Sequence, residues 1–170
     1  MIQVTRALAG YFAQYNPPIA KLGKALRAKL RARLPGLFEV VYQYENQDAL
    51  VISYSPTEHG YEGLCSLGVY PDRVQLFFGQ GARLGKADPG KLLQGRGKTV
   101  RHLVLKRAAD LDRAEIQALL EAALALAKVR LDASAKGAVI LKAEAQKQRA
   151  RRARKAARPA ARRRTAKPRR

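Results

Sequence analysis

At Leu37 the spacing of apolar residues changes from every third or fourth position to every second, and this change constrains the fold more than any other feature of the chain. Before it, Ile19, Leu22, Leu26, Leu30 and Leu34 form one stripe at helical spacing, which predicts a helix from about Pro18 to Leu34. After it come five short runs rich in β-branched and aromatic residues: FEVVYQYE (38–45), ALVISYS (49–55), LCSLGVYP (64–71), RVQLFFG (73–79) and TVRHLVLK (99–106). Side chains alternate along a strand, so Val100, His102 and Val104 share one face of the last run and Arg101, Leu103 and Leu105 the other. The polar link Glu45-Asn46-Gln47-Asp48 joins the first two runs, and Pro71-Asp72 predicts a hairpin between the third and fourth. Consecutive strands with short links favour an antiparallel sheet, here of about five strands.

Helical spacing returns on either side. Leu8, Phe12 and Tyr15 predict a short helix over 5–15 with Thr5 as its N-cap, ended by Asn16-Pro17-Pro18. Pro35-Gly36 stops the second helix. Asp110 or Asp112 is expected to cap a third helix running to about Leu131, with Ile116, Leu119, Leu120, Ala123, Leu124 and Ala127 on its buried stripe. AKGAVILK (135–142) reads as a short extension, a last strand or turn that packs back. The fold class is α+β, with the helices packed on one face of the sheet.

Charge divides the chain in two. Residues 1–141 carry 20 Lys/Arg and 12 Asp/Glu, whereas residues 142–170 carry 14 Lys/Arg and only Glu144, out of a net charge of +21. The reading is an α+β domain over 1–141 followed by a basic tail over 142–170. The tail has no apolar residue larger than alanine, so it cannot bury enough surface to offset its ordering entropy and is expected to be disordered when unbound. Its cations Arg149, Arg151, Arg152, Arg154, Lys155, Arg158, Arg162, Arg163, Arg164, Lys167, Arg169 and Arg170 are the candidate nucleic-acid-binding residues. Each can displace condensed counterions from a phosphate backbone. About ten such contacts on duplex DNA give a log–log salt slope near −9. The tail lacks aromatics to stack on bases, so DNA or RNA is expected to be held without sequence preference, the alternatives being an anionic membrane or protein partner and a solubilising extension. Lys21, Lys24, Arg27 and Arg31 point away from the apolar stripe of the second helix and read first as a solvated outer face, with an extension of the nucleic-acid footprint as the alternative, while Lys29 and Arg33 border the stripe.

The loop GQGARLGKADPGKLLQGRGKT (79–99) is a candidate anion site through Arg83, Lys86, Lys91, Gly95, Arg96, Gly97 and Lys98. Its nucleotide motifs fail. Gly97-Lys98-Thr99 ends like a P-loop, but Leu92 stands where the first glycine must be and a strand follows instead of a helix. Gly79-x-Gly81 opens like a dinucleotide fingerprint and breaks at Leu84. His59 and His102 are the only histidines, 43 positions apart, and point to no metal site. Cys65 reads as a small buried hydrophobe. No carboxylate pair has a spacing suited to acid–base catalysis, so no catalytic residue, cofactor or metal is expected. One cysteine excludes an internal disulfide, and no run of about 18 apolar residues occurs. No membrane insertion is expected, and the location is expected to be cytoplasmic.

The segments LVISYSPTEHGYEGLCSLGVYPDRVQLFFGQGARL and DPGKLLQGRGKTVRHLVL resemble the YdhG-like family, the domain of unknown function 1801. The likeness lies in the Ser-Leu-Gly-Val strand, the Leu-Phe-Phe strand running into Gly-x-Gly-Ala, the Asp-Pro loop, and Leu-x-Gly-x-Gly-Lys before Arg-His. It covers about residues 5–127. The family has no settled activity, so the resemblance implies no catalytic residue. It implies a frataxin-like sandwich with helices on one face of an antiparallel sheet, and with it iron delivery as a role. Frataxin-type iron binding uses acidic clusters, whereas the comparable helix here is KLGKALRAKLRARL, with Asp110, Asp112 and Glu115 as the carboxylates left to consider. Three readings follow: a non-enzymatic domain whose tail grips nucleic acid, a small-ligand or metal-handling domain with its site at loop 79–98 and an incidental tail, and an interaction module that docks an acidic protein.

Overall fold

The structure, a computed structural model, describes residues 2–44, 48–60, 63–132, 134–135 and 137–142. The link at 45–47 and the tail from 143 onward, including all twelve candidate nucleic-acid-binding residues, lie outside the described residues. The first two elements are helices α1 (Ile2–Phe12) and α2 (Pro17–Arg33). Asn16 sets the start of α2: its side-chain oxygen accepts the Ile19 N–H at 3.0 Å, a cap worth about 1 kcal/mol. Pro17 follows at the first helical position, where a missing N–H costs nothing. The Asn16 amide also donates to the Pro71 carbonyl at 3.3 Å, tying the helix start to a distant turn. Helix α1 begins before the expected position, so Thr5 lies within it and is not its cap.

Five strands follow the period-two runs closely: β1 (Phe38–Tyr44), β2 (Ala49–Ser55), β3 (Cys65–Val69), β4 (Val74–Phe78) and β5 (Arg101–Leu105). Each pairs antiparallel with the next. The β3–β4 hairpin turns at Pro71-Asp72, with Val69 opposite Val74 and the Tyr70 N–H donating to the Arg73 carbonyl at 2.9 Å. The expected five-stranded antiparallel sheet is corrected in one respect. A sixth strand, β6 (Val139–Leu141), lies parallel to β1, making a mixed sheet of order β5-β4-β3-β2-β1-β6. Within the 135–142 segment, Val139–Leu141 is thus a last strand that returns to the sheet. The Glu39 N–H donates to the Ala138 carbonyl at 3.0 Å, and the Lys142 N–H to the Val41 carbonyl at 2.8 Å.

Helix α3 (Ala114–Leu126) is shorter than the expected span at both ends. The Asp110 carboxylate accepts the Lys106 and Arg107 N–H groups at 2.8 and 2.9 Å. This winds Ala108–Asp112 into a 3-10 turn, so neither Asp110 nor Asp112 caps α3, which begins after Arg113. At the other end Lys128 takes φ +55°, which breaks the helical path before Leu131. Ile116, Leu119, Leu120 and Ala123 are buried as the stripe predicts, whereas Ala127 is exposed.

Alternation sorts the sheet into two faces. Val41, Ile52, Leu67, Leu76 and Leu103 stand in register across β1 to β5, and all join one core with Phe12, Leu26, Leu30 and Leu119 from the helices. Helix α2 approaches β3 closely at Gly23. A Cβ there would come within 2.9 Å of the Phe12 ring and 3.1 Å of Val69. The opposite face carries no helix among the described residues.

Candidate nucleic-acid interface

The cations of α2 are not a uniform solvated row. Arg27 reaches the buried Glu39 of β1 with both ends of its guanidinium, Nε to Oε1 at 3.0 Å and Nη2 to Oε2 at 2.6 Å. Arg31 adds a third contact to Oε2 at 3.3 Å. Lys29 and Arg33 both pair with Asp112, and Arg33 also donates to the Leu111 carbonyl at 2.8 Å. The expectation that Arg27 and Arg31 stand free to extend a basic footprint is corrected: a carboxylate at an inward strand position holds them. Lys21 and Lys24 remain exposed, the latter 5.9 Å over the Phe12 ring.

The same contacts engage the carboxylates considered for iron. Hydrogen bonds from Lys29 and then Arg33 hold the Asp112 pKa below the ordinary carboxylate range. Burial pushes the Asp110 carboxyl up, but the Arg107 and Lys106 N–H groups outweigh it and the pKa falls. The Glu115 pKa is lowered first by its own backbone N–H and then by Arg113. Among the described residues, no three His, Cys, Asp or Glu side chains gather in a metal-binding group.

Loop 79–98 folds as two 3-10 turns, Gly81–Arg83 and Gly85–Ala87, followed by an extended return. Its one carboxylate, Asp88, accepts the Leu92 and Leu93 N–H groups at 2.8 and 2.9 Å. Arg83, Lys86, Lys91, Arg96 and Lys98 are all exposed, and none forms an ion pair among the described residues. Gln94 then pairs with His102 along the outer edge of β5, through backbone bonds of 2.7 and 3.0 Å. Gly95, at φ +114°, turns the chain beside the His102 ring. This return lays Arg96, Gly97 and Lys98 at the sheet edge. A cleft of about 590 Å³ opens between Gly79, Gln80 and Leu84 on one side and Ala123 and Leu126 of α3 on the other. None of the loop's cations lines it.

His102 lies on the helix-free face, its ring 5.3 Å from that of Phe77, its cross-strand partner. The Phe77 ring lies 6.5 Å from that of Tyr70, and Arg73 sits over Tyr70 at 4.4 Å while pairing with Asp72. Gly68 makes room for this row: a Cβ there would meet the Phe77 ring at 2.8 Å and the Tyr70 ring at 3.0 Å. His59 is exposed in the loop after β2, and its carbonyl accepts the Lys142 ammonium at 2.6 Å. Cys65 is buried and free, with burial pushing its thiol up to about 12. Sequence reasoning missed Glu39 and the aromatic row. The signal for Glu39 was a carboxylate two positions before Val41, on the same inward phase of an apolar strand. No protein-family model, no curated protein and no solved structure matches this chain.

Proposed function

We propose that this chain is a non-enzymatic nucleic-acid-binding protein whose α+β body carries a cationic C-terminal segment that grips phosphates without sequence preference. The observation that carries this reading is the charge asymmetry: 14 Lys/Arg against Glu144 alone in residues 142–170. Counterion release makes such a segment a strong, salt-dependent ligand for any polynucleotide. The pairing within the body supports the division of labour. Glu39 and Asp112 occupy Arg27, Arg31, Lys29 and Arg33, which leaves Lys21 and Lys24 of α2 and Arg83, Lys86, Lys91, Arg96 and Lys98 of loop 79–98 as the body's share of the footprint. On the residues that resemble it, we assign the body to the YdhG-like type with a frataxin-like arrangement. The test is retention on immobilised DNA and RNA at low salt, with a nuclease control. The full chain is expected to bind, and a chain ending at Lys142 is expected to lose most of that binding. Equal retention of the two forms overturns the reading.

One observation favours a second reading. The cleft beside Gly79, Gln80 and Leu84 is large enough for a small molecule. Under that reading loop 79–98 serves a ligand and the tail is incidental. Ligand-induced thermal stabilisation that persists in the chain ending at Lys142, without nucleic-acid retention, is its expected signature.

A further inference from the structure

We propose that the helix-free face over β3, β4 and β5 is a stacking platform for unpaired bases, so that the preferred ligand is a single-stranded nucleic acid. This inference rests on the nucleic-acid reading above and deepens it. Tyr70, Phe77 and His102 form one continuous row of rings across three strands, with centroid separations of 6.5 and 5.3 Å. They stand opposite the core-facing Val69, Leu76 and Leu103, so the row faces away from the helices. Large apolar groups continue it toward solvent: Val104 is 38% exposed and Val100 44%. A monomeric sheet seldom leaves such a surface uncovered.

The two halves of this face differ. Over β1 and β2 the loop after β2 roofs the sheet, where Tyr42 donates to the His59 carbonyl at 3.4 Å and Gly60 lies against Val40. Over β3 to β5 the rings of Tyr70, Phe77 and His102 are half-buried, with Arg73 over the first and Gly95 beside the last, and no helix among the described residues lies on them.

Charge selects the occupant. The Gln94–His102 pairing carries Arg96 and Lys98 to one rim, Lys106 follows β5 at its end, and Arg73 sits over Tyr70. Asp88 is the loop's sole carboxylate, and backbone N–H groups occupy it. Partly exposed rings, tilted 52° and 39° from one to the next and framed by cations, match a strand whose splayed bases stack on them one at a time while its phosphates pair at the rim. A duplex keeps its bases within the helix and offers this face only phosphates.

The test measures binding of labelled oligo-dT, oligo-U and a duplex to the full chain and to a Tyr70→Leu/Phe77→Leu variant whose folding is checked by urea melting. Loss of a stacked base weakens binding by about tenfold or more. The platform predicts that loss for both single strands, with duplex affinity and salt slope unchanged. Unchanged single-strand affinity overturns the platform while leaving tail-dependent binding intact. An equal loss on the duplex overturns it too, as does a preference for polyglutamate over the oligonucleotides. Should the unsubstituted chain bind no nucleic acid at low salt, the proposed function itself fails and the platform falls with it. Photocrosslinking of 4-thiouridine-substituted RNA to the unsubstituted chain is independent of how the variant folds. Crosslinks are expected in the peptides holding Tyr70, Phe77 or His102, and their confinement to residues 143–170 contradicts the platform.

Discussion

Arg27 and Glu39 form a two-point ion pair between helix α2 and strand β1, with the carboxylate buried and the guanidinium largely covered. A carboxylate facing the core would be expelled by its desolvation cost if it stood alone. Here it fixes which cations the body can present, because Arg27 is turned inward to neutralise it and Arg31, itself half-exposed, also reaches it.

Removing the carboxylate therefore costs more than removing Arg31. Glu39→Ala is expected to destabilise the protein by about 3 kcal/mol, since it leaves Arg27 half-buried without a counterion. Arg31→Ala should cost less than about 1 kcal/mol, because its side chain is 53% exposed and its contact is the longer one. Urea unfolding of the two variants checks this, and equal costs would contradict the assignment of Glu39 as the centre of the cluster.

Beside this pair the fully buried Tyr54 hydroxyl finds no hydrogen-bond partner among the described residues. Burial first and the neighbouring Glu39 charge second raise its pKa well above the usual range, yet the hydroxyl and carboxylate do not reach hydrogen-bonding geometry. Tyr54→Phe removes an unsatisfied polar atom while keeping the ring. It is expected to leave stability unchanged or raise it by about 1 kcal/mol. A loss of stability would reveal a partner for that hydroxyl.

How much of this was legible in the chain follows from what each element depends on. Strands β1 to β5 announce themselves because β-branched and aromatic residues alternate within single segments. Strand β6 does not, since three residues carry no period and its place depends on the free edge of β1. The third helix was overextended because its stripe continues in sequence past Leu126, while the stop is a backbone turn at Lys128. The basic face of α2 was legible as charge but not as pairing. Glu39 lies 12 positions from Arg27, and only the sheet brings them together. Likewise Tyr70, Phe77 and His102 become one row only once the register of β3, β4 and β5 is set.

The docking of β6 rests on a close approach. A Cβ on Gly137 would overlap the Leu37 carbonyl. Gly137→Ala is expected to release β6 from β1 and leave the rest of the sheet paired. Amide hydrogen exchange reads this directly. The Glu39 and Lys142 N–H groups should lose protection while the β3–β4 hairpin keeps it. Retained protection at Lys142 contradicts the docking.

Asp112 and Cys65 each make stability depend on pH. Asp112 has a folded pKa below the ordinary 3.8, so its contribution to stability is present above that value and is lost as pH falls through the lower folded pKa. The difference in urea midpoint between the protein and Asp112→Asn should be present at neutral pH and vanish in acid. Cys65 behaves oppositely. Its thiol loses a proton near 9.0 when unfolded but at about 12 when folded, so stability falls as pH rises above 9.0. Near neutral pH the buried thiol should also resist a disulfide reagent until urea exposes it, because the thiolate is the reactive form. Rapid modification of the native protein would contradict its burial.

The most direct test of phosphate gripping by the C-terminal segment is the salt dependence of the dissociation constant for duplex DNA of mixed sequence. The full chain is compared with one in which every Lys and Arg of residues 143–170 is replaced by glutamine. The full chain is expected to give a log–log slope near −9 if about ten phosphates are neutralised, and the substituted chain to lose most of that slope. Affinity indifferent to salt, or an unchanged slope after the substitution, would contradict the account.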